Sequence, residues 1–239
     1  MSESDFRAST ERFDFDAVYR GDGAFGGRPP WDIGEPQPAI VDLEARGGIT
    51  GLVLDCGCGT GDNALFLAER GHPVHGIDLA PTAIAIARSH AAERGLSASF
   101  QTADALELSG YHEQFDTVVD SALAHLFGPA ELTRYAAALH HACRPGAMVY
   151  VLAIAREALT YLQARPDALA EQLTQRFTGG ELDLDEIVPS LTPEALHHGF
   201  RAGWSPISIT ETTLRARLPF HPDPIDLPAL LGQFHHRSR

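Results

Sequence analysis

The stretch that most constrains this chain is LVLDCGCGTG, residues 52–61. An apolar run, Leu52-Val53-Leu54, meets an acid, Asp55, and glycine then recurs at Gly57, Gly59 and Gly61 before a helical pattern over 62–70. The order reads as strand, tight turn, helix. Glycine has no Cβ, so such a turn can take positive φ and let a ligand lie against the backbone. The helix that follows offers free N–H groups to a carboxylate or phosphate.

The same alternation continues down the chain. Residues 73–79 form a second strand ending in Asp78, and Pro81 opens a helix to Arg94 that Gly95 stops. Residues 98–103 form a third strand with Asp104 at its end, and 115–122 a fourth. A helix over 129–143, closed by Arg144-Pro145-Gly146, leads to a fifth apolar strand over 147–155. Regular alternation of this kind predicts a parallel sheet with helices on both faces. Ahead of it lie a short helix near 13–19, a Gly- and Pro-rich segment over 21–38 carrying Phe25 and Trp31, and a helix over 39–46. The Gly- and Pro-rich segment reads either as a surface loop with its Trp plugged into the body or as a lid touching ligand. Beyond residue 155 the pattern predicts a long helix over 157–177 interrupted at Pro166, an irregular acidic stretch to 190, and a helix N-capped by Thr192. A long Thr- and Ile-rich strand over 204–218, a Pro-rich link over 219–228 and a short strand near 229–235 complete the chain.

Length allows one α/β domain across 1–239. Within it we divide a lid region at 12–48, a cofactor-binding core at 49–155, a helical insertion on the substrate side at 156–203, and C-terminal strands at 204–239. With 18 basic and 32 acidic residues the formal charge is −14, which disfavours nucleic acid or an anionic membrane as partner. Three cysteines make no disulfide framework, and Cys56 and Cys58 flank one glycine, the wrong spacing for a zinc ribbon. A polar N-terminus and the shortness of the longest apolar run point to a reduced, cytoplasmic protein.

In an open parallel sheet, ligands sit beyond the carboxyl ends of the strands. The glycine turn, Asp78, Asp104 and the segment 121–127 all fall there. A carboxylate at Asp78 can accept two hydrogen bonds from a ribose diol, and one at Asp104 can accept from the exocyclic amine of adenine. Two ligands fit an adenosine-shaped site, a dinucleotide or S-adenosylmethionine. The dinucleotide fingerprint G-x-G-x-x-G/A fails from Gly57, where the last position is Asp62, and passes loosely from Gly59, where it is Ala64. Asp55 suits the ammonium of a methionine moiety and would repel a pyrophosphate.

At this point a family resemblance is plain. Residues 55–61, DCGCGTG, resemble the D-x-G-x-G-x-G motif of class I S-adenosylmethionine-dependent methyltransferases; GIDLAP at 76–81, FDTVVD at 115–120 and LHHACRPG at 139–146 resemble that family's later motifs. The segment PWDIGEPQP, residues 30–38, resembles the N-terminal lid of the thiopurine, thiol and halide methyltransferase group, and still more that of actinobacterial small-molecule methyltransferases, including the mycobacterial enzymes that methylate heterocyclic toxins. The resemblance implies a Rossmann-like, doubly wound sheet of seven strands, the last antiparallel, with an N-terminal lid; the helical insertion after strand five, residues 157–177, is a departure, longer than in those relatives. It implies S-adenosylmethionine as cofactor and S-adenosylhomocysteine as product. The cofactor contacts it implies are Trp31, Asp55, Gly57, Gly59, Gly61, Asp78, Leu79, Asp104, Ala105 and Ser121.

Methyl transfer is an in-line displacement in which the protein supplies orientation and a dry site. The acceptor expected is a small, aromatic or heterocyclic molecule methylated at O, N or S, walled by Tyr19, Phe25, His125 and Phe127, with Trp204 assigned to the core. His125 is the candidate general base, since an imidazole titrates in the right range. Halide methylation needs no base, so His125 discriminates between acceptor types. No carboxylate cluster for a metal can be assembled. A thiol or halide methyltransferase is the first alternative; a nicotinamide-dependent oxidoreductase and a non-catalytic cofactor-binding protein are the others.

Overall fold

A computed structural model describes residues 14–22, 28–178, 184–218 and 220–237. Its centre is β1 (Val53–Cys56), buried at all four positions, as a strand with helices on both faces must be. The chain then alternates through α3 (Asp62–Glu69), β2 (Val74–Asp78), α4 (Pro81–Arg94), β3 (Ser99–Thr102), β4 (Phe115–Ser121), α5 (Pro129–Ala142) and β5 (Cys143–Ile154). Two short helices, α1 (Phe15–Arg20) and α2 (Pro38–Ala45), precede it. Three more, α6 (Glu157–Gln163), α7 (Leu169–Thr178) and α8 (Leu184–Ile187), follow β5. The chain closes through α9 (Pro193–Gly199), β6 (Trp204–Ala216) and β7 (Ile225–His236). The local signals act as chemistry requires: Pro81 stands at the start of α4 and Gly95 ends it at φ 65°, while the Thr192 hydroxyl accepts the Ala195 N–H at the start of α9.

The seven strands form one sheet in the order β3-β2-β1-β4-β5-β7-β6. β1 to β5 are parallel, and β7 runs antiparallel between β5 and β6. Strand order reverses between β1 and β4, so the crevice there is where the fold places a ligand. Each face carries a core. Ile40, Leu65, Ile84 and Leu162 pack on one side. Leu132, Leu139, Leu196 and Trp204 pack on the other, where Trp204 is fully buried and its Nε1 donates to the Ala136 carbonyl at 3.0 Å, the core role expected of it. No helix among the described residues is long and apolar enough to cross a membrane.

Two boundaries differ from the sequence reading. β5 starts at Cys143, not 147: the partner register jumps from Phe115↔Cys143 to Thr117↔Met148, so Arg144-Pro145-Gly146 is carried as a bulge inside the strand rather than as a helix stop. β7 starts at Ile225 and runs through Pro228, where a link was expected. Pro228 is tolerated because its carbonyl accepts the Ala155 N–H. Carbonyl and nitrogen of one strand residue face the same side, so its nitrogen points past Ile154, the end of β5, and no ladder bond is lost.

Candidate active site

The turn after β1 is built by the sheet itself. The Gly57 and Cys58 N–H groups both donate to the Ile77 carbonyl on β2, at 2.9 and 2.8 Å. Gly57, Gly59 and Gly61 all have positive φ, and a Cβ on Gly59 would lie 2.8 Å from the Tyr19 hydroxyl, so the second glycine is required on both counts. The Gly59 N–H donates to Asp78 Oδ2 at 2.9 Å and the Ala80 N–H to Oδ1 at 2.9 Å. A carboxylate has roughly four lone-pair sites, so Asp78 still has acceptor capacity on both oxygens for a diol. Burial raises its pKa, while these backbone donors pull it down.

Asp55 is the unusual group. It is 1% exposed, and neither oxygen receives a hydrogen bond of good geometry. Burial pushes its carboxyl up to about 7; the Ala64 N–H opposes this, and the charges of Asp120, Asp78 and Asp62 add to it. Buried polar groups are normally satisfied, so a buried carboxylate with no well-formed hydrogen bond, beneath the glycine turn though not itself lining the cavity, suits a cationic ligand group. Asp120 on β4 is equally buried and also pushed up to about 7, chiefly by desolvation, yet it is satisfied: it accepts the Tyr135 hydroxyl at 2.8 Å and the N–H groups of Leu123 and Ala124.

The N-terminal segment is pinned over this turn. Thr60 Oγ1 donates to Asp32 Oδ2 at 3.1 Å, the Gly34 N–H to Asp62 at 3.0 Å, and the Gln37 N–H to Asn63 Oδ1 at 2.9 Å. On its other side Gln37 exchanges two hydrogen bonds with the Arg215 backbone near the end of β6. The Thr82 N–H donates to Asp16, docking α1 onto α4. Inside, Trp31 Nε1 donates to the Tyr19 hydroxyl at 2.9 Å, and burial raises the Tyr19 pKa so that the phenol keeps its proton. A narrow cavity of about 40 Å³ results, lined by Tyr19, Trp31, Gly57, Gly59 and Ser121 of the residues singled out in the sequence. The sequence reading missed Asp32, Glu35, Gln37, Thr60, Asp62 and Asn63, which share that lining; their only signal was polar side chains in a lid-like segment and at a helix start.

The remaining candidates lie elsewhere. Leu79 is 65% exposed, and Asp104 and Ala105 follow β3 on the adjoining rim, where Asp104 Oδ1 accepts the Leu106 N–H. Gly61 caps α3. The Phe127 ring packs on Tyr135, with centroids 5.1 Å apart. Phe25 lies outside the described residues. His125 sits in a buried turn, Ala124–Leu126; its Nδ1 accepts the Ile154 N–H at 3.2 Å, and burial pushes its pKa down to about 4. It is not among the cavity's lining residues. Among the described residues no group of three His, Cys, Asp or Glu could hold a metal ion.

These residues suit S-adenosylmethionine. The unpartnered Asp55 matches an ammonium, Asp78 matches a ribose diol, exposed Leu79 offers an apolar face to a base, and the glycine cradle leaves no room for a Cβ.

Comparison with known proteins agrees. Residues 53–146 match a family model described as a methyltransferase domain. The 2-heptyl-1-hydroxyquinolin-4(1H)-one methyltransferase of Mycobacteroides abscessus is 40% identical over 180 residues, covering 74% of this chain and 79% of that one. A solved structure concerned with conversion of a disulfide bond into a thioacetal group during echinomycin biosynthesis superposes with a TM-score of 0.85 at 47% identity, covering 93% of this chain and 91% of that one. The Burkholderia thailandensis 1,6-didemethyltoxoflavin-N1-methyltransferase, solved with its substrate and S-adenosylhomocysteine, shares the fold, with a TM-score of 0.61 at 18% identity over 100% of this chain and 92% of that one.

Proposed function

We propose that the chain, which belongs to the S-adenosylmethionine-dependent methyltransferases, carries a methyl group to a small heterocyclic acceptor. The observation that carries the cofactor half of this reading is the buried, unpartnered Asp55 at the head of the glycine turn. When bound, the cofactor supplies a methyl group activated by a sulfonium. The chain's own residues bind and orient. Asp55 pairs with the ammonium, Asp78 accepts the ribose hydroxyls while holding the turn through Gly59, and Leu79 with Asp104 and Ala105 flanks the base. Tyr19 and Trp31 cover the turn and exclude water, held shut by the Asp32–Thr60 and Gly34–Asp62 bonds. Holding acceptor and methyl in line is worth up to about 7–11 kcal/mol in well-oriented systems.

The acceptor class is supported by the relative that acts on a hydroxyquinolinone and by the aromatic side chains of Tyr19 and Trp31 at the cavity. A sulfur acceptor is the second reading, favoured by the 47% identical protein associated with a disulfide. We place the reaction in the cytoplasm on the strength of three free, buried cysteines, and expect no nucleic-acid or anionic-membrane partner from the −14 charge.

Calorimetry tests the cofactor: S-adenosylhomocysteine should bind wild type in the micromolar range and NAD should not, and Asp78→Ala should weaken binding tenfold or more while its circular dichroism stays native. Mass spectrometry tests the acceptor: 2-heptyl-1-hydroxyquinolin-4(1H)-one should gain one methyl group. Binding of NAD alone would overturn the assignment.

A further inference from the structure

Resting on that reading, we infer that the acceptor reaches this site with its attacking atom already free of a proton, as an ionised acidic N–OH or thiol or as a neutral sulfur, and that His125 is a positioning residue and not a base. All twelve histidines lie within the described residues, and none lines the cavity. His125 is the one nearest in sequence to Ser121. Its Nδ1 already accepts the Ile154 N–H, which fixes the ring proton on Nε2 and leaves no basic lone pair. Burial is the whole cause of its lowered pKa; no charged side chain offsets it, so an imidazolium there would be unsupported. What the bond does is tie the buried turn Ala124–Leu126, just past the Ser121 end of β4, to the last residue of β5.

The other titratable groups lining the cavity have partners or keep their protons: Asp32 accepts from Thr60 and faces Arg28, Glu35 faces Arg215, Asp62 accepts the Gly34 N–H, and burial keeps the proton on the Cys58 thiol and on the Tyr19 phenol. Asp55 is needed for the ammonium. No histidine lines the cavity to take a proton from a phenol, a catechol or an alkylammonium, which depend on a base at neutral pH. The step balances without one. The acceptor's lone pair forms the new bond to the methyl carbon, the pair from the breaking carbon–sulfur bond stays on the cofactor sulfur, and no proton moves. An anionic acceptor leaves neutral; a neutral sulfide leaves as a sulfonium.

The test is the pH dependence of kcat/KM for three probes: 2-heptyl-1-hydroxyquinolin-4(1H)-one, thiophenol and dimethyl sulfide. The expected inflection tracks each ionising probe's own pKa, and the sulfide profile is flat. His125→Gln, whose amide oxygen can still accept the Ile154 N–H, lowers kcat less than tenfold and leaves each inflection where it was. An inflection common to both ionising probes and lost in His125→Gln would overturn the inference. A second measurement needs no turnover: ¹⁵N NMR of His125 in the free protein should show a neutral ring with its proton on Nε2 from pH 5.5 to 8.5. Titration within that range, or a proton on Nδ1, refutes it. Failure of S-adenosylhomocysteine to bind counts against the methyltransferase site itself, while the NMR result still decides the role of His125.

Discussion

Replacing Asp55 with Asn should make the free protein more stable and the enzyme inert. The sign follows from linkage. An Asp whose folded pKa is raised destabilises the fold above its unfolded pKa, because the chain must give up an easy ionisation to fold. Here the carboxyl moves from an ordinary 3.8 to about 7, which at about 1.4 kcal/mol per factor of ten costs on the order of 4 kcal/mol at pH 8. That cost is absent below pH 4, grows through the window from 4 to 7, and is constant above it. Asn removes the charge but leaves an amide with no partner, which costs about 1–3 kcal/mol. The net gain at pH 8 is therefore about 1–3 kcal/mol, or roughly 2–10 °C in Tm for a domain of this size. At pH 4 the variant should be no more stable than wild type. Thermal melts at pH 4 and pH 8, with and without S-adenosylhomocysteine, measure all of this. Wild type should be raised by the ligand and Asp55→Asn should not. A variant less stable than wild type at pH 8, with unchanged ligand affinity, would refute the idea that this carboxylate is kept bare for a cation.

Three further outcomes are expected. Gly59→Ala meets both positive φ and the Tyr19 hydroxyl, so S-adenosylhomocysteine affinity measured by calorimetry should fall at least tenfold. Tyr19→Phe removes the acceptor for Trp31 Nε1; loss of such a bond costs about 1 kcal/mol, so cofactor affinity should fall about fivefold while Tm falls by less than about 4 °C. Thr192→Ala removes the cap of α9, far from the glycine turn, and should lower stability in urea melts by about 1 kcal/mol with cofactor affinity unchanged.

The sequence revealed those parts of the fold whose physics is local. Pro81 and Gly95 bracket α4, Thr192 caps α9, and Asp55, Gly57, Gly59 and Gly61 mark the turn, because each signal acts within a few residues. The Pro228 error shows the limit. A proline reads as a break unless one knows that its nitrogen faces beyond the end of β5, and that is a property of another strand. Asp32, Gln37 and Asn63 were missed for the same reason: each acts across 26 or more residues of sequence, or through the end of β6. At His125 the residue type alone suggests a base, while Ile154, 29 positions on, donates to Nδ1, a contact that no local signal announces.

Asp55 and Asp120 carry the last step. They lie on adjacent strands, each fully buried and each pushed up to about 7, so neither burial nor pKa separates a structural acid from a binding one. Their partners do. Asp120 receives a hydroxyl from Tyr135 on α5 and two backbone N–H groups from its own turn, and it holds the Leu123–Ala124 corner that follows β4. Asp55 receives nothing comparable, although the glycine turn beside it brings backbone N–H groups to Ile77 and to Asp78. A turn that satisfies its neighbours and leaves one carboxylate without a well-formed hydrogen bond is what the proposed ammonium-binding role of Asp55 requires. On that proposal, the cost of the charge in the free protein is stabilisation that cofactor binding would recover, which would couple folding, ligand affinity and pH at a single residue.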